Sequence, residues 1–208
     1  RLVYVPSLGR SLSKNTIVAA ALNMGNAGNR DKLMRGGYIG QNAEVVQFTP
    51  QNIAEMLGHL TPADAQMVQG IWDAVNSLWP DIVEQQRRLS GVAPEQVQPM
   101  PLIFTAADGS TVSLRGGYYP AVYDPRVSAG GAKQARAAEE QILGGTFSRA
   151  MTSKGHTKDR TEYAAPMLLD YHRVLSRHLN DVITDVSHRG YVKQALRRVT
   201  GTVLPIGA

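Results

Sequence analysis

Leu102-Ile103-Phe104-Thr105-Ala106-Ala107-Asp108-Gly109-Ser110-Thr111-Val112-Ser113-Leu114 runs without a break into Arg115-Gly116-Gly117-Tyr118-Tyr119-Pro120-Ala121-Val122-Tyr123-Asp124-Pro125. Two short runs rich in β-branched and aromatic residues flank an Asp-Gly pair, which is the signal of a hairpin turned at Asp108-Gly109. The pattern abandons the helical period of the preceding residues and predicts a hairpin over about 101–124, its second arm passing into the Gly-Gly-Tyr-Tyr-Pro segment. In that segment the glycine pair permits unusual dihedrals, proline fixes its own, and tyrosines join apolar bodies to polar tips. Gly116, Gly117, Tyr118, Tyr119, Pro120 and Tyr123 therefore read as a shaped structural connector between packed layers, and they name no chemistry. A lone two-stranded hairpin is marginal in water, so it must lie against helices.

Upstream, Thr61-Pro62-Ala63-Asp64 is a strong helix start: a capping threonine, proline at the first helical position, and an acid facing the positive end of the dipole. Met67, Val68, Ile71, Trp72, Val75, Leu78 and Trp79 follow at three and four spacing and predict one apolar face holding both tryptophans. Pro80 predicts a bend or a new helix that ends at Gly91. Nearer the start, Ser13 caps a short helix ended by Gly25, a second helix covers Arg30–Met34, and Gly25-Asn26-Ala27-Gly28-Asn29 forms the turn between them. Downstream, 133–143 reads as helix and 148–162 as a polar surface excursion, with a partner-contact loop as the alternative. A strong element over 166–188 carries Leu168, Tyr171, Leu175, Leu179, Val182 and Val186 on one face, and 191–199 forms a last helix. The predicted fold class is mainly α: a helical bundle of about seven helices with one β-hairpin, a single module over 1–208 built around the 62–90 and 166–188 helices.

A length of 208 residues and 43% hydrophobic content suffice for a sizeable core. The absence of cysteine excludes disulfides, thiolate metal sites and cysteine nucleophiles. No apolar run approaches the roughly 20 residues needed to span a bilayer, and no signal-peptide pattern is present. The start at Arg1 instead of methionine leads us to expect a module within a longer chain. Net charge is +5, and its excess concentrates in 148–160 and in His188, Arg189, Lys193, Arg197 and Arg198. The four residues Arg189, Lys193, Arg197 and Arg198 are the candidates for sequence-independent nucleic-acid binding.

Few constellations carry chemistry. His178, Asp181, Asp185 and His188 fall at offsets that place them on one stripe of the 166–188 helix, with residue types that suit a divalent metal or an acid/base pair. Arg177 and Arg189 stand close enough to pair with those acids, and a single-helix stripe needs ligands from another element to close a site. The Gly25–Gly28 spacing lacks the strand before it and the Gly-Lys-Ser/Thr after it that a phosphate loop requires. No Gly-x-Ser-x-Gly elbow singles out a serine. A lytic acid among Glu55, Glu84 and Glu162 is reached only by elimination. No motif asks for a cofactor.

Several segments point the same way together. Ala21-Leu22-Asn23-Met24-Gly25-Asn26-Ala27-Gly28-Asn29 precedes Leu33, and Thr61–Asp64 precedes Ile71-Trp72-Asp73 and Trp79-Pro80. Gly116–Asp124, Thr157-Lys158-Asp159-Arg160 and the His178–Arg189 stretch complete the set. Over nearly the whole chain this pattern resembles a recurring region of the large polyvalent proteins of bacteriophages, some of which travel in the virion and enter the host. The resemblance implies a module within a very large phage protein whose neighbours include polymerase, helicase, methyltransferase, protease or lytic domains. The leading expectation is a non-enzymatic structural or interaction module that helps assembly or genome delivery, found in the virion and then in the host cell after ejection. The implied partners are other phage proteins or further domains of the same chain, with a homo-oligomer and DNA also open. It brings no assigned catalytic residue. Two alternatives stand beside it: a hydrolase of cell wall or nucleic acid using the His/Asp stripe, and a nucleic-acid-binding module using the basic 187–200 stretch.

Overall fold

The computed structural model describes residues 2–93, 95–126, 165–182 and 184. The centre of the molecule is α1 (Lys14–Asn23), in which every residue from Ile17 to Asn23 is buried. A helix apolar on all sides belongs inside, and the run Ala19-Ala20-Ala21 lets neighbours approach closely. α2 (Ala27–Gly36), α3 (Pro50–Leu57) and α4 (Pro62–Asn76) all pack against it. Ser13 caps α1 by accepting from the Thr16 N–H at 3.0 Å. Lys14 then ties the start of α1 to Asp64 in the first turn of α4 at 2.8 Å.

α4 begins as its sequence dictates, with a reciprocal capping box between Thr61 and Asp64. The long apolar run divides: α4 stops at Asn76 and α5 (Trp79–Ser90) begins anew. Pro80 has no N–H to donate to the Asn76 carbonyl, which explains a break across residues whose backbone stays in the helical region. Trp72 and Trp79 therefore sit on different helices. Trp72 is core, its indole Nε1–H donating to the Leu22 carbonyl at 3.0 Å, whereas Trp79 lies on a groove along α5.

The mainly helical character expected, with a minor β part, is present, but the β part is larger than one hairpin and the fold is mixed α+β, not a pure helical bundle. About half of the described residues are helical, and three two-stranded antiparallel sheets accompany them. β1 (Leu2–Val5) pairs with β2 (Arg10–Ser13) around a 3₁₀ turn at Pro6–Leu8 that Gly9 closes at φ 62°. β3 (Tyr38–Ile39) pairs with β4 (Val45–Val46). The expected hairpin is present as β5 (Leu102–Thr105) and β6 (Thr111–Leu114), with Gly109 at φ 82° in the turn and Phe104 opposite Val112. Its strands end at Leu114, so the connector is separate from the ladder.

Other boundaries shift. α2 starts at Ala27, because the Asn26 side chain caps it by accepting from the Asn29 N–H; the tight turn is only Met24–Asn26. α3 escaped the sequence reading altogether. The element expected from 166 is extended through Asp170 and helical over 171–182, a helix we label α6. Met167 bridges Tyr38 in parallel and Tyr123 in antiparallel fashion, so the chain is tied as extended backbone before it turns helical at 171. The axis of the fold is thus α1 with its neighbours, not the pairing of two long helices. The expectations for 133–143, 148–162, 191–199 and the part of the last stripe beyond 184 lie outside the described residues.

Candidate functional site

The connector 115–126 forms a seam against three asparagines, held largely by its backbone groups. The Gly25 carbonyl accepts from both the Met100 and Gly117 N–H groups, at 2.8 and 2.9 Å. Gly116 holds φ 83°, and a Cβ there would collide with the Met100 carbonyl. The Asn26 side-chain amide donates to the Gly117 carbonyl at 3.3 Å. Buried Asn29 donates to the Asn23 side-chain oxygen at 3.2 Å and to the Tyr119 carbonyl at 2.7 Å. Asn23 in turn donates to the Ala19 carbonyl at 2.9 Å. These amides occur every third residue, and that spacing was the one signal by which the sequence marked them.

Beyond the asparagines, Arg115 anchors to α4: its N–H donates to the Gln69 side-chain oxygen at 2.9 Å and its guanidinium reaches Asp73 at 2.8 Å. Tyr119 is buried, and burial, helped by Asp170 and Tyr171, raises the pKa of its hydroxyl. Asp124 is buried too. Burial by itself would raise its carboxyl, but hydrogen bonds from the Arg126 side chain and backbone prevail and hold it below the ordinary carboxylate value.

Helix α6 closes the seam from the other side. Asp170 accepts from the Asn15 side-chain amide at 3.1 Å and from the Arg173 N–H at 3.2 Å, while Asn15 accepts from the Tyr171 N–H at 3.2 Å. His178 faces Tyr118, ring centroids 6.0 Å apart and tilted by 59°. Burial lowers the imidazole to about 4, so it is neutral near pH 7, and burial likewise raises Tyr118. Asp181 pairs with Arg177 at 3.8 Å, one turn before it; burial raises its carboxyl and Arg177 opposes that. The two described members of the His/Asp stripe thus serve packing and a surface pair. Asp185 and His188 lie outside the described residues, as do Arg189, Lys193, Arg197 and Arg198.

Among the described residues no group of three His, Asp or Glu side chains is placed to hold a metal ion, and no helix is long and apolar enough to cross a membrane. Glu55 accepts from the Ser7 N–H at 2.9 Å, securing the 3₁₀ turn on α3. Glu84 lines a shallow groove of about 530 Å³ with Trp79, Pro80, Val83 and Arg87. All five lining residues come from α5, so among the described residues no second element converges on it. Glu162 lies outside the described residues. The polar chemistry of the seam holds layers together; the outward faces of the hairpins carry a different signal. Leu2 and Tyr4 on β1 are 62% and 57% exposed, and Ile103 on β5 is 65% exposed. No family model, curated protein or solved structure matches this chain.

Proposed function

We propose that this chain is a non-enzymatic structural or interaction module of the kind its resemblance to large polyvalent phage proteins implies. Its place would be in the virion or the ejected protein, and its partners other phage proteins or further domains of the same chain. The outward apolar side chains carry this reading. Among the described residues, Leu2, Tyr4 and Ile103 stand on strands that pair with one other strand, and they present apolar surface beside a strand edge of the kind that pairs with another chain. The connector supports it from within: buried asparagine amides and glycine contacts fix one path, which suits a rigid module whose outer faces do the work.

Light scattering on the purified chain, alone and over a salt series with added DNA, tests the reading. A discrete assembly indifferent to DNA, weakened when Leu2, Tyr4 and Ile103 are all changed to serine, is the expected result. A monomer that binds DNA with a steep salt slope overturns it in favour of nucleic-acid binding. A monomer whose mass the serine variant leaves unchanged overturns it as well.

A further inference from the structure

Among the described residues, the seat that receives 165–182 is built from chain before residue 127. The Met167 N–H donates to the Gly37 carbonyl, the Leu168 N–H to the Val122 carbonyl, and the Asp124 N–H to the Pro166 carbonyl, each at 2.8 Å. The segment is thus extended chain bridged at Met167 to Tyr38 of β3 on one side and to Tyr123 of the connector on the other, with Met167 1% exposed. Asn15 then receives the start of α6 through Asp170 and Tyr171. Gly36 makes room for it, since a Cβ there would strike the Ala165 backbone. This is recognition by strand addition followed by a capped helix, the means by which proteins bind extended peptides.

We propose that the segment is exchangeable: the seat takes 165–182 from a second copy of this chain as well as from its own. The occupant is fixed by what is seated there. Each copy carries the same segment and the same seat, and exchange of identical elements preserves every contact while linking two copies. The 38 residues from 127 to 164 separate seat from segment. Fully extended, such a stretch spans at most roughly 130 Å, well beyond a module with a radius of gyration of about 17 Å. Seating within one copy competes with seating between copies, so exchange has to be tested where self-seating is blocked.

Two full-length variants supply that test. Gly36→Ala blocks the seat but keeps a sound segment, and Met167→Asp spoils the segment but keeps a sound seat. Neither is expected to dimerise alone, and their mixture is expected to give a 1:1 pair of doubled mass. Two folded variants that stay monomeric when mixed overturn the proposal. Should either variant lose its helical circular dichroism, wild-type chains bearing donor and acceptor fluorophores are refolded together over a concentration series. Energy transfer that rises with concentration supports exchange, and none at any concentration overturns it. The idea deepens the interaction reading and rests on it for the meeting of copies. To keep the two separable, both measurements are repeated with Leu2, Tyr4 and Ile103 changed to serine, which removes the outer-face contacts and leaves the seat untouched.

Discussion

Asn29 donates to two acceptors that have no access to water, and this sets the cost of losing it. Asn29→Ala leaves the Asn23 side-chain oxygen and the Tyr119 carbonyl without that donor. A buried polar group without its partner costs about 1–3 kcal/mol, so we expect a loss of about 2–4 kcal/mol in urea denaturation. A loss below about 0.5 kcal/mol would show that the amide network is dispensable. His178 gives the pH dependence. Its folded pKa, lowered to about 4, lies below the ordinary imidazole value of about 6.5. Its contribution is therefore fully present above about pH 6.5 and is lost as pH falls towards 4. The wild type should lose more stability than His178→Phe between pH 7 and pH 4. Parallel pH profiles for the two proteins would refute the assignment.

Start signals decided which elements the sequence made legible. Thr61-Pro62-Ala63-Asp64 gave its helix away, and Thr49-Pro50-Gln51-Asn52 uses the same grammar, with proline at the first position and a reciprocal box between Thr49 and Asn52. α3 was readable in principle, from that start and from Ile53, Met56 and Leu57 at three and four spacing, although it spans only 8 residues. Thr49→Ala should cost about 1 kcal/mol, measured by thermal unfolding, as should Thr61→Ala. A much smaller cost for Thr49 alone would mean that packing, not capping, fixes α3. The β5–β6 hairpin was legible from its Asp-Gly turn. β3 and β4, of two residues each, carry no pattern of their own and exist because Met167 and Phe48 give Tyr38 something to lie against.

Across the whole molecule, the unreadable part was long-range pairing. Nothing local links Asn15 to Asp170, yet that contact joins the central helix to α6 across 155 positions. The same holds for the candidate site: glycines and tyrosines of the connector stood out by composition, whereas the pairing of the Asn23, Asn26 and Asn29 amides with them became visible only in three dimensions. Asn15→Ala should loosen α6 selectively, so hydrogen exchange at 171–182 should quicken while α1 and α4 keep their protection. Equal acceleration everywhere would mean that α6 and the central helix open as one unit. One oxygen has a further consequence at this scale. Because the Gly25 carbonyl receives both Met100 and Gly117, the excursion between them leaves and returns at a single point, like a loop of rope held in one fist. Lengthening it at the exposed Asp108-Gly109 tip adds only slowly growing closure entropy and moves neither root. That tip is the natural place to graft foreign sequence, and the place where relatives would be free to differ in length.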